Sequence, residues 1–251
     1  KVVIITGANT GIGEVTAHQL AALGAKVYLA CRSKDRTEPV VAKIRSGTAN
    51  PEVHFLDLDL SSLESVRAAA KVFLALEQPI DLLINNAGLA GAKGLTADGF
   101  ELAFGVNHLG HFLFTDLLVD RIVDGGRIVN VSSRAHYKAK SIDWEDLRQP
   151  TTGLTGLKAY SVSKLANVLF TKSLAKRLAH RNITTYSLHP GVVASDVWRQ
   201  VPWLIQPLIK RFMITVEDGA KTTLYLSYNR FEKSRFLKSG FPFEAFGRRR
   251  F

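Results

Sequence analysis

Short apolar runs alternate with amphipathic stretches along most of this 251-residue chain. The runs are nearly continuous in Val, Ile and Leu, which is typical of parallel strands buried on both faces. The predicted strands are Val2–Thr6, Lys26–Ala30, Val53–Asp57, Leu82–Asn85, Arg127–Val131 and Thr184–Leu188. The predicted helices include Gly11–Leu23, Leu63–Leu76, Gly99–Val119, Lys158–His180 and Val216–Tyr228. This alternation predicts an α/β fold, a doubly wound parallel sheet with helices on both faces.

The chain shows no internal repeat, and no linker rich in Pro, Gly or Ser divides it. We therefore expect one domain, residues 1–228, followed by a tail at 229–251. Two segments interrupt the alternation: a polar stretch at 135–157 and an apolar stretch at 193–214 with two Trp and two Pro. Both follow the carboxyl ends of predicted strands, where ligands bind in open α/β sheets. The apolar stretch is the predicted substrate lid.

The composition bears on the class of protein and on its cellular compartment. The hydrophobic content of 46% suits a globular chain that buries a core. No run of about 18 apolar residues occurs, so neither a membrane-spanning helix nor a signal peptide is expected. Cys31 is the single cysteine, which excludes an internal disulfide and suits a reducing compartment. We expect a cytoplasmic protein, attached to an endoplasmic reticulum-type membrane if an anchor precedes Lys1.

The net charge of +11 is concentrated in part at the end of the chain. Residues 230–251 carry seven basic and two acidic side chains and six of the 14 Phe. One interpretation is peripheral contact with an anionic membrane surface; the other is a terminal segment without function. No nucleic-acid recognition motif accompanies the charge, so nucleic acid is not an expected partner.

The first predicted strand runs directly into "TGANTGIG". Glycines allow a tight turn and close approach of a pyrophosphate, and the following helix offers N–H groups at its N-terminus. The segment predicts a dinucleotide-binding turn, and the alternative is a glycine-rich turn without chemistry. The expected cofactor contacts in it are Gly7, Asn9, Thr10, Gly11, Ile12 and Gly13.

The residues after the second strand bear on the choice of dinucleotide. Arg32 stands where a carboxylate would bind a bare ribose, and a guanidinium there suits the 2′-phosphate of NADP. Asp35 is the rival residue, and Glu14, just after the last glycine, would weaken NADP binding. The sequence predicts NADP(H), with NAD(H) as the alternative cofactor.

Two further strand ends complete the predicted cofactor site. Asp59, with Leu60 beside it, is placed to bind the adenine, and Asp57 on the same face is the alternative. The segment "NNAG" has small residues that let the backbone pass close to a ribose, although it could be a simple turn. Asn85 is expected to tie neighbouring strands together. The expected cofactor contacts here are Asn86, Ala87 and Gly88.

The segment "YSVSK" places Tyr160 and Lys164 one helical turn apart on one face. Reduction of a carbonyl by hydride needs a proton donor, and a nearby ammonium lowers the pKa of a phenol. The spacing alone also fits a solvated helix face.

The motifs "TGANTGIG", "LDLSS", "NNAG", "VNHLGHF", "VNVSS", "YSVSK" and "HPGVV" together resemble the short-chain dehydrogenase/reductase superfamily, in the order of that family and over about residues 1–228. The segments "TADGFE" and "SKLANVLFTKSLAKRL" are similar to its retinol dehydrogenase-like branch. The resemblance implies a Rossmann-type fold and an oxidoreductase that acts on retinoids and other lipophilic aldehydes, mostly with NADP(H). Many members sit on membranes and dimers are common, so membrane contact and a homodimer are further expectations.

The same resemblance assigns roles to individual residues. It implies a catalytic tetrad in which Ser133 binds the substrate oxygen and Asn107 holds a water that links Lys164 to solvent. Tyr160 is the acid/base, and Lys164 also binds the nicotinamide ribose. Segment "HPGVV" and the residue two positions after it imply contacts to the nicotinamide amide by Pro190, Gly191, Val193 and Ser195.

Two other chemistries are not expected. His108 and His111 lie three apart without a third ligand at suitable spacing, so we predict packing or hydrogen-bonding roles and no metal site. His136 follows Ser133 closely, but a serine hydrolase would need a G-x-S-x-G elbow, which the chain lacks.

The apolar lid favours a small hydrophobic alcohol or aldehyde as substrate, a retinoid first. A steroid or a lipid-derived aldehyde or ketone is the alternative within the same fold. From another class, a non-catalytic dinucleotide-binding scaffold remains open. The closing Gly-x-Tyr-Phe strand of the family is not found in the sequence.

Overall fold

The computed structural model describes residues 1–152, 155–191 and 214–228. Over these residues, six strands form one sheet in the order β3-β2-β1-β4-β5-β6, and every neighbouring pair is parallel. The strands are β1 Val2–Thr6, β2 Lys26–Cys31, β3 Val53–Asp57, β4 Ile80–Asn85, β5 Ile122–Val131 and β6 Thr184–Leu188. This is the Rossmann-type order that the sequence predicts.

Helices cover both faces of the sheet, as in a doubly wound fold. They are α1 Gly11–Ala22, α2 Lys34–Thr48, α3 Leu63–Leu74, α4 Leu102–Phe104, α5 Gly110–Leu118, α6 Leu157–Arg177 and α7 Val216–Tyr228, with a π-helical turn at Gly105–Leu109. One apolar cluster, around Leu20 and Ile84, joins α1, α2 and α7 to the sheet. A second, around Phe73 and Phe114, joins α3, α5 and α6 to the opposite face. The α/β fold class is confirmed.

Helix α2 is the main element that the hydrophobic pattern misses. It buries only Thr37, Val41 and Ile44 among its 15 residues, and Pro39 lies inside it. An apolar stripe this narrow gives little periodic signal, and an internal proline ordinarily argues against a helix. The segment forms a helix because it covers β2 and β3 in the tertiary structure.

The predicted helix Gly99–Val119 is not continuous. It begins at Leu102, passes through the π-helical turn Gly105–Leu109 and resumes as α5. Such turns frequently occur at functional sites, and this one contains Asn107. The other boundaries differ by a few residues: β4 and β5 begin earlier than predicted, at Ile80 and Ile122.

The chain reverses its direction of winding between β1 and β4, which lie side by side. Ligands bind at such a switch point, outside the carboxyl ends of the strands. The glycine turn leaves β1 and the NNAG segment leaves β4, so both lie at that edge. Asn85 donates from Nδ2 to Asn130 Oδ1 at 2.8 Å and to Thr115 Oγ1 at 2.9 Å, which confirms that it ties β4 to β5.

One helical stretch within the described residues, Leu102–Arg121, is long and apolar enough to span a membrane, with a mean hydropathy of 1.3. Half of that stretch is buried inside the protein. Phe114 and Leu118 in it belong to the core beneath the sheet, so it is a core helix of the α/β fold. The predicted tail, 229–251, and residues 193–213 of the predicted lid lie outside the described residues.

Candidate active site

The glycine turn and the NNAG segment form one cradle through close backbone packing. A Cβ on Gly7, whose φ is +64°, would lie 2.9 Å from Ala87 Cα. A Cβ on Gly13 would lie 2.5 Å from Gly7 O and 2.7 Å from Asn86 Nδ2. Only glycine fits at either position, and the bare backbone leads into the N-terminus of α1. This cradle fits the pyrophosphate of a dinucleotide.

Asn86 holds the cradle together rather than pointing out of it. Its Nδ2 donates to Thr6 O at 2.9 Å and to Gly7 O at 3.3 Å. The Thr6 hydroxyl in turn accepts from the backbone N–H groups of Asn86 and Ala87, both at 2.9 Å. The predicted ribose contact at NNAG is thus left to the backbone and to Gly88.

The residues predicted to bind the adenosine end of the dinucleotide lie at the carboxyl ends of β2 and β3. Arg32 follows β2 and is exposed, as a residue that binds a phosphate from solvent must be. Asp59 is half-buried, and its Oδ1 accepts from the Ser61 N–H at 2.9 Å and the Ser61 hydroxyl at 2.7 Å. Asp57, its alternative, is exposed, whereas Leu60 is buried.

Glu14 does not face the cradle as an isolated charge. Its Oε1 lies 2.7 Å from Lys43 Nζ, which reaches it from α2. The pKa of Lys43 is raised by this hydrogen bond. Sequence reasoning missed the pair, because Lys43 is 29 positions away and lies on the helix that the pattern did not predict.

Tyr160 and Ser133 meet at the carboxyl end of β5. Tyr160 lies in the first turn of α6 with 7% of its surface exposed. Burial raises the pKa of its hydroxyl, and a hydrogen bond with the Ser133 side chain opposes that effect. Ser133 also caps the short helical turn after β5, since its Oγ accepts from Ala135 N–H at 3.2 Å. The two hydroxyls form a site that can bind and protonate one oxygen atom.

Lys164 is buried beneath this pair with 3% of its surface exposed. Its Nζ donates to Val131 O at 2.9 Å and lies 5.6 Å from the centre of the Tyr160 ring. Burial lowers the pKa of the ammonium to about 8. The ammonium rests on the Val131 carbonyl, and in this state the Ser133 side chain is the group that opposes the rise in the Tyr160 pKa. That Lys164 lowers the Tyr160 pKa stays a prediction.

Asn107 lies in the π-helical turn and is completely buried. Its Nδ2 donates to Leu89 O and to Ser163 Oγ, both at 3.0 Å, and its Oδ1 accepts from Leu89 N–H at 2.9 Å. Its carbonyl oxygen accepts from His111 Nδ1 at 3.0 Å and from Asn167 Nδ2 at 3.1 Å. These contacts give Asn107 a framework role that the predicted water relay did not anticipate.

The cradle and the tetrad are adjacent. A Cβ on Gly88 would lie 3.4 Å from both Asn107 Oδ1 and Lys164 Nζ. A group that passes over Gly88 therefore reaches the buried ammonium, so the structure brings the predicted ribose and catalytic residues together.

The histidines have the hydrogen-bonding roles that we predicted. His111 Nε2 lies 2.8 Å from Thr6 Oγ1, and His108 Nδ1 lies 3.1 Å from Asn167 Oδ1. Burial lowers the pKa of His108 to about 4 and that of His111 to about 3, so both rings are neutral at pH 7. His136 Nδ1 lies 2.6 Å from the Ser133 carbonyl and not from its hydroxyl, unlike the base of a serine hydrolase.

The predicted nicotinamide-amide segment is only partly described. Pro190 and Gly191 follow β6 at the same edge as Ser133, and Gly191 has a φ of +93° and packs against Ile214. The other two residues of the prediction, Val193 and Ser195, lie outside the described residues. Asn167 belongs to this site and was missed; the available signal was its position three residues after Lys164, on the face of α6 that carries Tyr160.

Comparison with known proteins agrees with this geometry. The short chain dehydrogenase family matches residues 1–144 and 149–203. Retinol dehydrogenase 11 of Mus musculus and Retinol dehydrogenase 12 of Homo sapiens are each 49% identical to this chain, over 90% of it and 72% of their own lengths. A short chain dehydrogenase from Burkholderia cenocepacia J2315, solved in complex with NADP, superposes with a TM-score of 0.72 at 26% identity, covering 90% of this chain and 89% of that one.

The match covers the cradle, the tetrad and the strands that position them. The enzyme interpretation therefore replaces the non-catalytic scaffold, and the fold carries a nicotinamide dinucleotide as its cofactor. The chain belongs to the short chain dehydrogenase family, in its retinol dehydrogenase-like branch, and is an oxidoreductase.

Proposed function

We propose that this chain is an NADP(H)-dependent alcohol dehydrogenase/carbonyl reductase for a hydrophobic alcohol or aldehyde, a retinoid first, with Tyr160 as general acid/base. The observation that carries the proposal is the buried Tyr160, whose hydroxyl pKa is influenced by the Ser133 side chain and whose ring centre lies 5.6 Å from the Lys164 ammonium. These groups lie at the edge of the sheet where the cradle opens.

The glycine turn would hold the pyrophosphate, and Gly88 with Lys164 would hold the nicotinamide ribose. A bound nicotinamide supplies the hydride acceptor or donor, and the protein contributes binding and orientation. The close packing of Gly7 on Ala87 and of Gly13 on Asn86 supports this assignment, since the turn can come this close only where glycine carries no side chain.

The preference for NADP(H) has two supports. Arg32 is exposed immediately after β2, where it can pair with a 2′-phosphate. Lys43 pairs with Glu14 at 2.7 Å, which compensates the carboxylate that would otherwise repel that phosphate. The pair is exposed and screened by solvent, so its influence is modest.

The chemistry of the pocket suits proton transfer in both directions. In carbonyl reduction the Tyr160 hydroxyl donates its proton to the substrate oxygen, and Ser133 donates a hydrogen bond to the same atom. A positioned acid of this kind contributes roughly 10²–10⁴-fold in rate. Burial raises the Tyr160 pKa, so the protonated form needed for reduction persists at neutral pH.

Alcohol oxidation places the opposite demand on Tyr160, because the phenolate must accept the proton. Lys164 stabilises the phenolate by its charge. It carries that charge below about pH 8, the value to which burial lowers its pKa. We therefore expect reduction to be favoured at neutral pH, and we expect oxidation to lose the contribution of Lys164 as the pH rises above about 8.

The retinoid assignment rests on the relatives, two of which are named retinol dehydrogenases. The apolar lid at 193–214 supports a hydrophobic substrate by its composition. Exposed Tyr137 and Trp144, each 70% exposed, add aromatic surface on the loop after β5. Steroids and lipid-derived carbonyls stay the alternative substrates, and peripheral membrane contact, a homodimer and the cytoplasmic or membrane-attached location stay predictions.

The test mixes the purified protein with all-trans-retinal and follows the loss of NADPH absorbance, with NADH in a parallel assay. We expect turnover of retinal with a clear preference for NADPH. Good activity on a steroid ketone with none on retinal would overturn the retinoid assignment, and equal use of NADH would overturn the cofactor preference.

A further inference from the structure

Asn167 makes a set of buried contacts that the proposed mechanism does not use. It lies on α6 three residues beyond Lys164 and has 3% of its surface exposed. Its Nδ2 donates to Asn107 O at 3.1 Å and to Val131 O at 3.3 Å, and its Oδ1 lies 3.1 Å from His108 Nδ1. The amide therefore joins the π-helical turn and the end of β5 to α6, the catalytic helix, which carries Tyr160 and Lys164.

The neighbours of Asn167 fix the orientation of its amide. The carbonyl oxygens of Asn107 and Val131 can only accept, so the NH₂ group must face them. The ring of His108 is buried and neutral, and its Nδ1–H donates to Oδ1. With each of its donors and its acceptor partnered, the amide is locked in one arrangement.

Val131 O is the point that Asn167 shares with the catalytic machinery. It accepts from Lys164 Nζ at 2.9 Å and from Asn167 Nδ2 at 3.3 Å. A carbonyl oxygen has two lone pairs, so both donors can bind at once. Val131 is buried at the end of β5, and a buried carbonyl without a partner costs free energy comparable to a lost hydrogen bond.

We propose that Asn167 is a positioning residue for Lys164: it keeps the Val131 carbonyl paired when the Lys164 ammonium moves to a hydroxyl group of the bound dinucleotide. The role rests on the proposed function, in which Lys164 binds the ribose. Without the Asn167 amide, each transfer of Lys164 from protein to cofactor leaves a buried carbonyl bare. The cofactor then competes with Val131 for the ammonium, and its affinity falls.

If Asn167 served only to fill space, substitutions by a small and by a large side chain would rank in the opposite order. If Asn167 mattered only as a filler, Asn167→Ala would be worse than Asn167→Leu, because alanine leaves a cavity. If the amide matters, Asn167→Leu is worse for cofactor binding. Alanine leaves room for a water that can pair with both carbonyls, whereas leucine excludes it.

Asn50 provides a matched control. Its Nδ2 also bridges two backbone carbonyls, Ala21 O at 2.8 Å and Ala25 O at 2.9 Å. It lies just before β3, at the amino ends of the strands and thus at the edge of the sheet opposite the active site. Asn50→Leu removes the same kind of bridge without touching the catalytic helix.

The experiment measures the dissociation constant of NADPH by fluorescence titration, with the melting temperature of each protein recorded alongside. We expect Asn167→Leu to weaken NADPH binding about tenfold, Asn167→Ala by less, and Asn50→Leu to leave it within about twofold of wild type. Should Asn167→Leu not fold, Asn167→Asp keeps the size of the side chain, replaces the donor NH₂ by an acceptor oxygen, and is expected to weaken binding similarly.

The outcomes separate this role from the function on which it rests. Unchanged NADPH affinity in the Asn167 variants, or greater loss in Asn167→Ala than in Asn167→Leu, would overturn the positioning role while the enzyme stands. Failure of the wild-type protein to bind NADPH would overturn the proposed cofactor and this role with it.

Discussion

The cofactor cradle and the catalytic pocket are built by opposite means, although they touch at Gly88. In the cradle, the absence of side chains makes the site: a methyl group on Gly7 would collide with Ala87, and one on Gly13 would collide with the Gly7 carbonyl and the Asn86 amide. In the pocket, buried polar side chains make the site. Lys164 and Asn167 both donate to the Val131 carbonyl, and Asn107 donates to Leu89 O and Ser163 Oγ. The cradle is therefore sensitive to added volume and the pocket to lost hydrogen bonds.

Ser133→Ala should impair catalysis in the pocket and leave cofactor binding in the cradle intact. The variant removes the hydroxyl that binds Tyr160 and, in the proposed mechanism, the substrate oxygen. We expect kcat to fall about 100-fold, the effect of deleting one donor to a developing oxyanion, with little change in NADPH affinity. Steady-state kinetics with retinal and an NADPH titration check this, and Ser133→Thr, which keeps a hydroxyl, should retain most of the activity.

Gly13→Ala should instead weaken cofactor binding in the cradle and leave the catalytic groups of the pocket intact. Its new Cβ would lie 2.5 Å from Gly7 O, so the turn must shift, and overpacking of this kind typically costs about 1–3 kcal/mol. We expect NADPH to bind roughly 10- to 100-fold more weakly. Gly47→Ala in α2 is the control, because its Cβ would meet only the movable His18 side chain, at 3.2 Å. Equal NADPH affinities for the two variants would contradict the close-packed cradle.

Lys43→Gln tests the charge beside the cradle, because it should affect NADPH and NADH differently. It leaves Glu14 without its partner, so the carboxylate should raise the KM for NADPH about threefold and hardly change that for NADH, which lacks the 2′-phosphate. The double variant Glu14→Gln, Lys43→Gln should restore most of the NADPH affinity. The effect should fade at high salt because the pair is exposed.

The remaining prediction concerns the free energy of unfolding rather than catalysis, and it depends on the buried ammonium of the pocket. Burial lowers the Lys164 pKa from its ordinary 10.5 to about 8, so between these values the unfolded chain binds more protons than the folded one. The free energy of unfolding should therefore gain from Lys164 as the pH rises from about 8 to 10.5. The free energy of unfolding of wild type and of Lys164→Met is measured across this pH range. Their difference gives the contribution of Lys164, which the variant lacks. A wild-type curve that runs parallel to that of the variant would contradict the shift.

The two regions also differ in how far the sequence reveals them. The strands and the glycine turn follow from apolar runs and from glycines at their ends, which are local signals. The tie made by Asn85 was predicted because its position at the end of β4 limits what it can reach. In the pocket, the position of Asn167 three residues after Lys164 is a weak local signal, and its role becomes visible only when the fold brings Val131 and Asn107 to it.

Long-range contacts account for the remaining misses. The π-helical turn around Asn107 is stabilised by Asn167, 60 positions away along the chain, as well as by the nearby His111. The Lys43–Glu14 pair joins two helices, one of which buries too few apolar residues to be predicted. The Tyr160 pKa depends on burial, and the sequence suggested only the lysine one turn away.

The most direct test of the central claim is Tyr160→Phe, assayed for NADPH oxidation by all-trans-retinal and for NADPH binding in the same preparation. Phenylalanine keeps the ring and removes only the hydroxyl that transfers the proton. The proposed mechanism predicts loss of turnover, on the order of 10²–10⁴-fold, with cofactor affinity close to wild type. Turnover that persists at the wild-type rate would contradict the assignment of Tyr160 as the acid/base.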